Sequence, residues 1–355
     1  MNCPPYKKHP WAAIAVISGC LAICTCFISG SLGSRFAHHA ETVHNQFAIL
    51  KGQPHLIDGK ETRFPQFQSR ILFPLLLAGA SKVGVFSDSQ WFIIVRIATA
   101  FGAFAVFLLL CTGFEGMAIT TACLGAGTLA YALVPTFNHP WEHTTDFLDV
   151  GFMSAFIWLA LQKQRMALAL AVLAATLNHQ TAAFAGVIWF CLWGIEPQFK
   201  PRWRETVYAC ALVLGSYSLS TAVKASLSSD KSAGYVINGW WTISQFADAI
   251  RRPEPYSWPI LLLAMVAPVS LWLWANRSEV TGDIRRLLWA SIWIVVLSSP
   301  IAYWSELRSV FLAPMVIATF VATASENRAR RRPVAHFSEI SWKQQASIDS
   351  GTNYS

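Results

Sequence analysis

Residues 166–193 read MALALAVLAATLNHQTAAFAGVIWFCLW. The stretch is apolar except for one polar break near its middle, Asn178-His179-Gln180-Thr181. Basic residues bracket it, with Lys163 and Arg165 before and Lys200, Arg202 and Arg204 after. One straight helix of this length would reach about 42 Å, well beyond the roughly 30 Å hydrocarbon layer of a bilayer. Two helices meeting at the polar break would each be short for a full crossing. The charges choose between these geometries. Short loops rich in Lys and Arg mark the cytoplasmic side of a membrane. Both ends carry such loops, so the chain is expected to enter, turn at 178–181 and return to the same side. Polar groups at that depth need partners, so the turn is expected to face protein or a wet cavity, not lipid.

Composition extends this reading to the whole chain. Hydrophobic residues are 54% of the 355 and charged residues only 13%, against about a quarter charged in a soluble domain. The expected class is an all-α polytopic membrane protein with about 9–11 transmembrane helices. The net charge of +8 collects mainly in short loops and the tail. Positive-inside bias explains that placement, and no nucleic-acid partner is implied. Of the eight cysteines, Cys20, Cys24, Cys26, Cys111, Cys123, Cys191 and Cys210 lie in apolar runs and Cys3 near the terminus. They read as small buried hydrophobes, not as a disulfide framework or a metal set.

Taken in order, residues 1–325 read as one transmembrane domain. A first helix over Trp11–Leu32 starts inside. A first outer loop, 34–90, is polar apart from an apolar piece that reads as an interfacial helix over 70–83, too short to span. Then come Trp91–Leu110 inward, Met117–Val134 outward, Phe147–Leu161 inward, the broken hairpin 166–193, Thr206–Ala225 outward, Trp258–Ala275 inward, Leu287–Ser299 outward and Ser309–Ala324 inward. Every strongly basic short loop then falls on the cytoplasmic side, with both termini. The polar tail 326–355 lacks apolar periodicity and is expected to be disordered. The expected location is the cell membrane, with lipid as the surrounding partner.

This topology gathers the unusual polar residues on the opposite, extracytoplasmic side: Glu41, His44, Asp58, Glu61, Arg63 and Arg70 in the first loop, His139, Glu142, His143, Asp146 and Asp149 in the next, Asn178 and His179 in the buried turn, and Glu306 and Arg308 in the last. Bland explanations exist for several. Asp146 and Asp149 suit a helix start through the dipole, outer-loop histidines are commonly solvated, and Arg96 within a helix is commonly a structural pair. An outward polar cavity roofed by loops is the site these residues suggest.

Several short patterns resemble the GT-C superfamily, integral-membrane glycosyltransferases that take sugars from polyprenyl-phosphate carriers. Glu41-Thr-Val-His44 followed by Ala48-Ile-Leu-Lys-Gly-Gln-Pro54 is similar to the acidic start and "A-x-x-x-x-G-x-P" run of the family's first outer loop. Gln68-Ser-Arg70-Ile-Leu72-Phe-Pro74 resembles the "Q-x-R-x-L-x-P" run of uncharacterised bacterial members, Leu177-Asn-His-Gln-Thr181 their "N-R-E-T" turn, and Glu306-Leu-Arg308 their late "E-x-R" turn. Two positions depart from the pattern. Glu41 stands where the family usually has Asp, and both charged positions of the turn are replaced. The resemblance implies a GT-C-like fold and transfer of a sugar from a polyprenyl-phosphate donor on the extracytoplasmic face. The catalytic carboxylates would then be Glu41, Asp58 and Asp146. Arg70, His143, Asn178, His179, Glu306 and Arg308 would bind substrate, the arginines gripping phosphate. Some members use a divalent metal; Glu41, Asp58, Glu142 and Asp146 offer oxygen ligands, but no spacing assigns a metal set.

Two other readings use the same residues. A transporter or flippase of a lipid-linked or polar substrate would string polar groups through helix midpoints into both leaflets. A GT-C-like scaffold subunit would carry the altered turn as a degenerate site.

Overall fold

Helices follow the apolar runs, and their ends follow the capping chemistry. The computed structural model describes residues 10–28, 39–53, 55–57, 60–62, 70–137, 146–195, 200–227, 258–298 and 311–331. The helices are α1 (Trp11–Ile28), α2 (His39–Leu50), α3 (Leu72–Ser81), α4 (Asp88–Gly113), α5 (Ile119–Phe137), α6 (Asp146–Leu161), α7 (Arg165–Thr176), α8 (Phe184–Trp189), α9 (Trp203–Leu227), α10 (Trp258–Ala275), α11 (Gly282–Ser298) and α12 over 311–331. A 3-10 turn, Gln180–Ala183, leads into α8, and a π turn, Phe190–Gly194, leaves it. α4 starts on a capping box, in which Ser87 Oγ accepts from Gln90 N–H while the Gln90 side chain accepts from Ser87 N–H. α4 and α9 are, among the described residues, long and apolar enough to cross a membrane, with mean hydropathies of 2.4 and 1.4.

The long stretch that opens the sequence reading folds back on itself. α7 leaves from Arg165, the chain turns at Leu177–His179, and α8 with its π turn returns. Lys163 Nζ then lies 3.9 Å above the centre of the Trp193 ring, and Trp193 Nε1 donates to the Ala160 carbonyl at 2.7 Å. Across the return, Arg165 pairs with Glu205 at the start of α9, and Trp189 Nε1 donates to the other Glu205 oxygen at 3.0 Å. Gly186 makes this close approach of α8 to α9 workable, because a Cβ there would sit 2.6 Å from the Ala209 carbonyl oxygen.

The same end collects the other basic loops. Arg286 Nη1 donates to the Leu192 carbonyl at 2.7 Å. Arg328 pairs with Glu115 between α4 and α5, and also donates to the Thr281 hydroxyl at 3.1 Å between α10 and α11. At the opposite end, Leu72 N–H donates to the Leu177 carbonyl at 2.9 Å, joining α3 to the polar turn. α4 and α6 pack side by side between the two ends. Their contact is apolar, with Phe104, Phe107, Phe156 and Ile157 in the main core.

Three features differ from the sequence expectation. The chain is not purely helical: His55–Ile57 and Lys60–Thr62 pair as antiparallel strands β1 and β2. Asn45 on α2 satisfies both backbone groups of Leu56 at 2.8 Å each, so its amide acts as a further peptide unit beside the strand. The intervening Asp58-Gly59 is a hairpin-favouring dipeptide that the apolar-run reading passes over. The apolar piece in the first outer loop is helical over Leu72–Ser81 rather than 70–83, and Gly84, at φ +71°, takes the turn that follows. The expected disordered tail begins with helix. Residues 326–331 continue α12 because their charges are partnered: Glu326 accepts from Asn276 Nδ2 at 2.9 Å and from Arg330 Nε at 2.7 Å, while Arg331 donates to the Gly116 carbonyl at 2.7 Å. Residues 332–355, and 29–38 at the expected end of the first helix, lie outside the described residues.

The Arg330 bond above all, together with those from Trp272 and Asn276, holds the Glu326 carboxyl below its ordinary value. A carboxylate so depressed contributes stability that is present above its unfolded value of about 4.3 and lost as pH falls through the folded one. Melting curves from pH 7 to 3 are therefore expected to fall more steeply for the wild type than for Glu326→Gln, with the difference confined to pH below about 5. Parallel acid limbs would show that these bonds do not hold the end of α12.

Candidate functional site

At the end opposite the basic loops, three segments distant in sequence bring their polar groups onto one carboxylate. Asp146 and Asp149 open α6, three residues apart and so on one face. Both are buried despite their charge. Asp149 lies one turn deeper in an apolar helix, where an unpartnered carboxylate is costly. Its partners come from the polar turn. Asn178, fully buried at 0% exposure, donates Nδ2–H to Asp149 Oδ1 at 2.7 Å. The Thr181 side chain is also hydrogen-bonded to Asp149, and Arg70 and Asp146 lie within electrostatic reach of it.

The turn is held from below by backbone. Asn178 and His179 N–H groups both donate to the Ala175 carbonyl at 2.9 Å, closing the end of α7. His179 caps the 3-10 turn that follows, its Nδ1 accepting from Thr181 N–H at 3.2 Å. That bond uses the Nδ1 lone pair and assigns the ring proton to Nε2. His179 Nδ1 lies 3.7 Å from Asp149 Oδ2, so the two are neighbours beyond direct hydrogen-bond distance. The Leu72–Leu177 backbone bond sets Arg70, two residues earlier, against this turn.

Arg96 belongs to the same end. It is only 2% exposed, eight residues into α4, and its guanidinium lies over the Phe147 ring at 5.8 Å, level with the first turn of α6. Among the described residues the buried acidic and basic side chains are Arg96, Asp146, Asp149 and Glu279, the last at the basic end. Beyond Arg96 the buried face of α4 holds Thr99, whose hydroxyl donates to the Arg96 carbonyl at 2.8 Å, and then the apolar Ala100, Ala103, Phe104, Phe107 and Leu108.

Of the residues expected from sequence, Asn178 and His179 therefore meet at Asp149, with Asp146 and Arg70 within electrostatic reach of it. Glu41 sits in the first turn of α2, a helix that packs on α3 and α4. Asp58, His143, Glu306 and Arg308 lie outside the described residues. Asp149, gathered with the outward polar residues but given no catalytic or binding role among them, is the centre. Its signal was present as a second carboxylate one turn into an apolar helix, but a helix-start acid explains it equally well in one dimension. Among the described residues, no group of three or more His, Cys, Asp or Glu side chains is arranged to hold a metal ion.

Chemically, the knot offers an acidic acceptor of hydroxyl protons beside a guanidinium suited to phosphate, with an amide and an imidazole fixing the geometry. The chain matches no family model, no curated protein and no solved structure.

Proposed function

We propose that the chain is a multi-pass membrane protein that transfers a sugar from a polyprenyl-phosphate donor, with the Asp149-centred knot on the extracytoplasmic face. One observation carries the reading: Asn178 and His179 close on Asp149, with Arg70 and Asp146 within electrostatic reach, at the end of the bundle away from the basic loops. By the positive-inside rule the basic end belongs to the cytoplasm, which puts the knot on the far side. The short apolar helices, α7 and α8 among them, then lie within the bilayer beside the longer α4 and α9.

In the transfer, an acceptor oxygen bonds to the sugar's anomeric carbon as that carbon's bond to the carrier phosphate breaks. The acceptor proton passes to a carboxylate, Asp146 at the knot or Glu41 from α2, and the phosphate leaves with its lipid. Arg70 meets the charge that builds on that phosphate, where a fixed cation lowers the barrier most. Asp149, held by Asn178 and Thr181, positions the turn instead of reacting. The placement of Arg96 favours this reading over transport, since the arginine lies over Phe147 in the first turn of α6 and, past Thr99, is followed by an apolar helix face.

Cells lacking the chain are expected to lose one surface glycan and to accumulate its lipid-linked sugar. The wild-type chain should restore both, whereas Arg70→Ala, at equal protein level, should restore less than about 1% of the product, as should whichever of Asp146→Asn and Glu41→Gln removes the proton acceptor. Unchanged glycans and lipid-linked sugars in the null cells would remove the transferase reading, and full restoration by Arg70→Ala would remove Arg70 from the site.

A further inference from the structure

The basic end carries a site of its own. The start of α7, the return limb and the start of α9 enclose a half-open cleft of about 530 Å³, lined by Lys163, Arg165, Trp189, Trp193, Arg202 and Glu205. Three cations against one carboxylate leave it cationic: Glu205 is matched by Arg165 at one oxygen and bonded by Trp189 Nε1 at the other, so the net positive charge comes from Lys163 and Arg202.

Lys163 is the telling residue. It follows α6 with φ +57°, a left-handed conformation that favours glycine. The bonds from Lys163 N–H to Ala160 O at 3.1 Å and from Gln164 N–H to Leu159 O at 2.9 Å form the helix-ending motif in which glycine is commonest at this position. A lysine here costs conformational energy that glycine avoids. What the lysine adds is its ammonium, carried over the Trp193 ring at the rim of the cleft.

An apolar rail adjoins the cleft. Met166, Leu170 and Leu173 are 77%, 63% and 47% exposed on α7, and their spacing puts them in one stripe. Trp203 and Val207 extend it on α9, at 76% and 46% exposure. A cationic cleft opening onto an exposed apolar stripe fits a ligand with an anionic head and a hydrocarbon tail. We propose that this cleft binds the phosphate headgroup of an anionic glycerophospholipid, its acyl chains lying along Met166, Leu170 and Leu173. The assignment rests on the membrane reading above but not on the transferase activity. Arginine and lysine beside the membrane attract anionic lipid, and Trp anchors at headgroup depth.

The test uses the full chain purified in detergent. Native mass spectrometry is expected to show phosphatidylglycerol retained at least about tenfold over phosphatidylcholine of the same acyl chains. Phosphatidylglycerol should also raise the melting temperature, which millimolar inorganic phosphate should not. Lys163→Gly is the decisive variant, because glycine relieves the left-handed turn. It should melt no lower than wild type without lipid, yet lose most of the preference, and adding Arg202→Gln should abolish it. A lysine needed only for the turn would leave the preference untouched. Equal retention of the two lipids, an unchanged preference in the double variant, or full stabilisation by inorganic phosphate alone would each overturn the proposal. Alkaline carbonate extraction separates the two levels. A chain released as soluble protein removes the membrane reading and this site together, whereas an embedded chain that does not discriminate lipids removes only the site.

Discussion

Asp149→Ala is expected to destabilise the protein by about 2–4 kcal/mol, a large loss for one side chain. The cost comes from what is left behind. Asn178 is fully buried and gives its Nδ2–H to Asp149, so removing the carboxylate strands a donor where water does not reach. The Thr181 side chain loses the same partner. Asp149→Asn separates structure from charge. Its amide oxygen still accepts from Asn178, so the variant should unfold within about 1–1.5 kcal/mol of wild type. Unfolding by denaturant or heat, followed by tryptophan fluorescence, measures both. An alanine variant as stable as wild type would mean that the knot does not hold the turn.

Gly186→Ala is expected to cost about 1–3 kcal/mol although it adds a single methyl group. The new Cβ would lie 2.6 Å from the Ala209 carbonyl oxygen and 2.6 Å from Val213 Cγ2. The valine methyl can rotate away, but the carbonyl is part of the α9 backbone and cannot. α8 must therefore back away from α9, which also packs against the 3-10 turn after His179. Small residues at such crossings are what allow helix backbones to approach closely. Gly215→Ala on α9 is the matched control. A Cβ there meets nothing within 4 Å, so the change should be neutral or stabilise by up to about 1 kcal/mol through helix propensity. Equal behaviour of the two variants would mean that α8 and α9 are not in close backbone contact.

The apolar runs alone were enough to locate most helices. Trp258–Ala275 begins and ends where the run does, and α6 starts one residue before the expected Phe147, at Asp146. Hydrophobic length and capping residues are local properties, so one dimension suffices to read them. The bend at 178–181 was legible for a different reason. The polar tetrad breaks a long apolar run that carries basic residues at both ends, and in the structure the chain turns there and Lys163 lies over Trp193.

Only the tertiary structure decided which polar residue matters and where the charges end. Asp149 and Asn178 are 29 residues apart, and Arg328 and Glu115 are 213 apart. No spacing rule links such pairs, so a partnered carboxylate reads in sequence as a plain helix-start acid, and a partnered helix end reads as a loose tail. The energy of a buried charge depends on what stands against it. That is settled by packing between helices, whereas the helices themselves are settled by the order of residues along the chain.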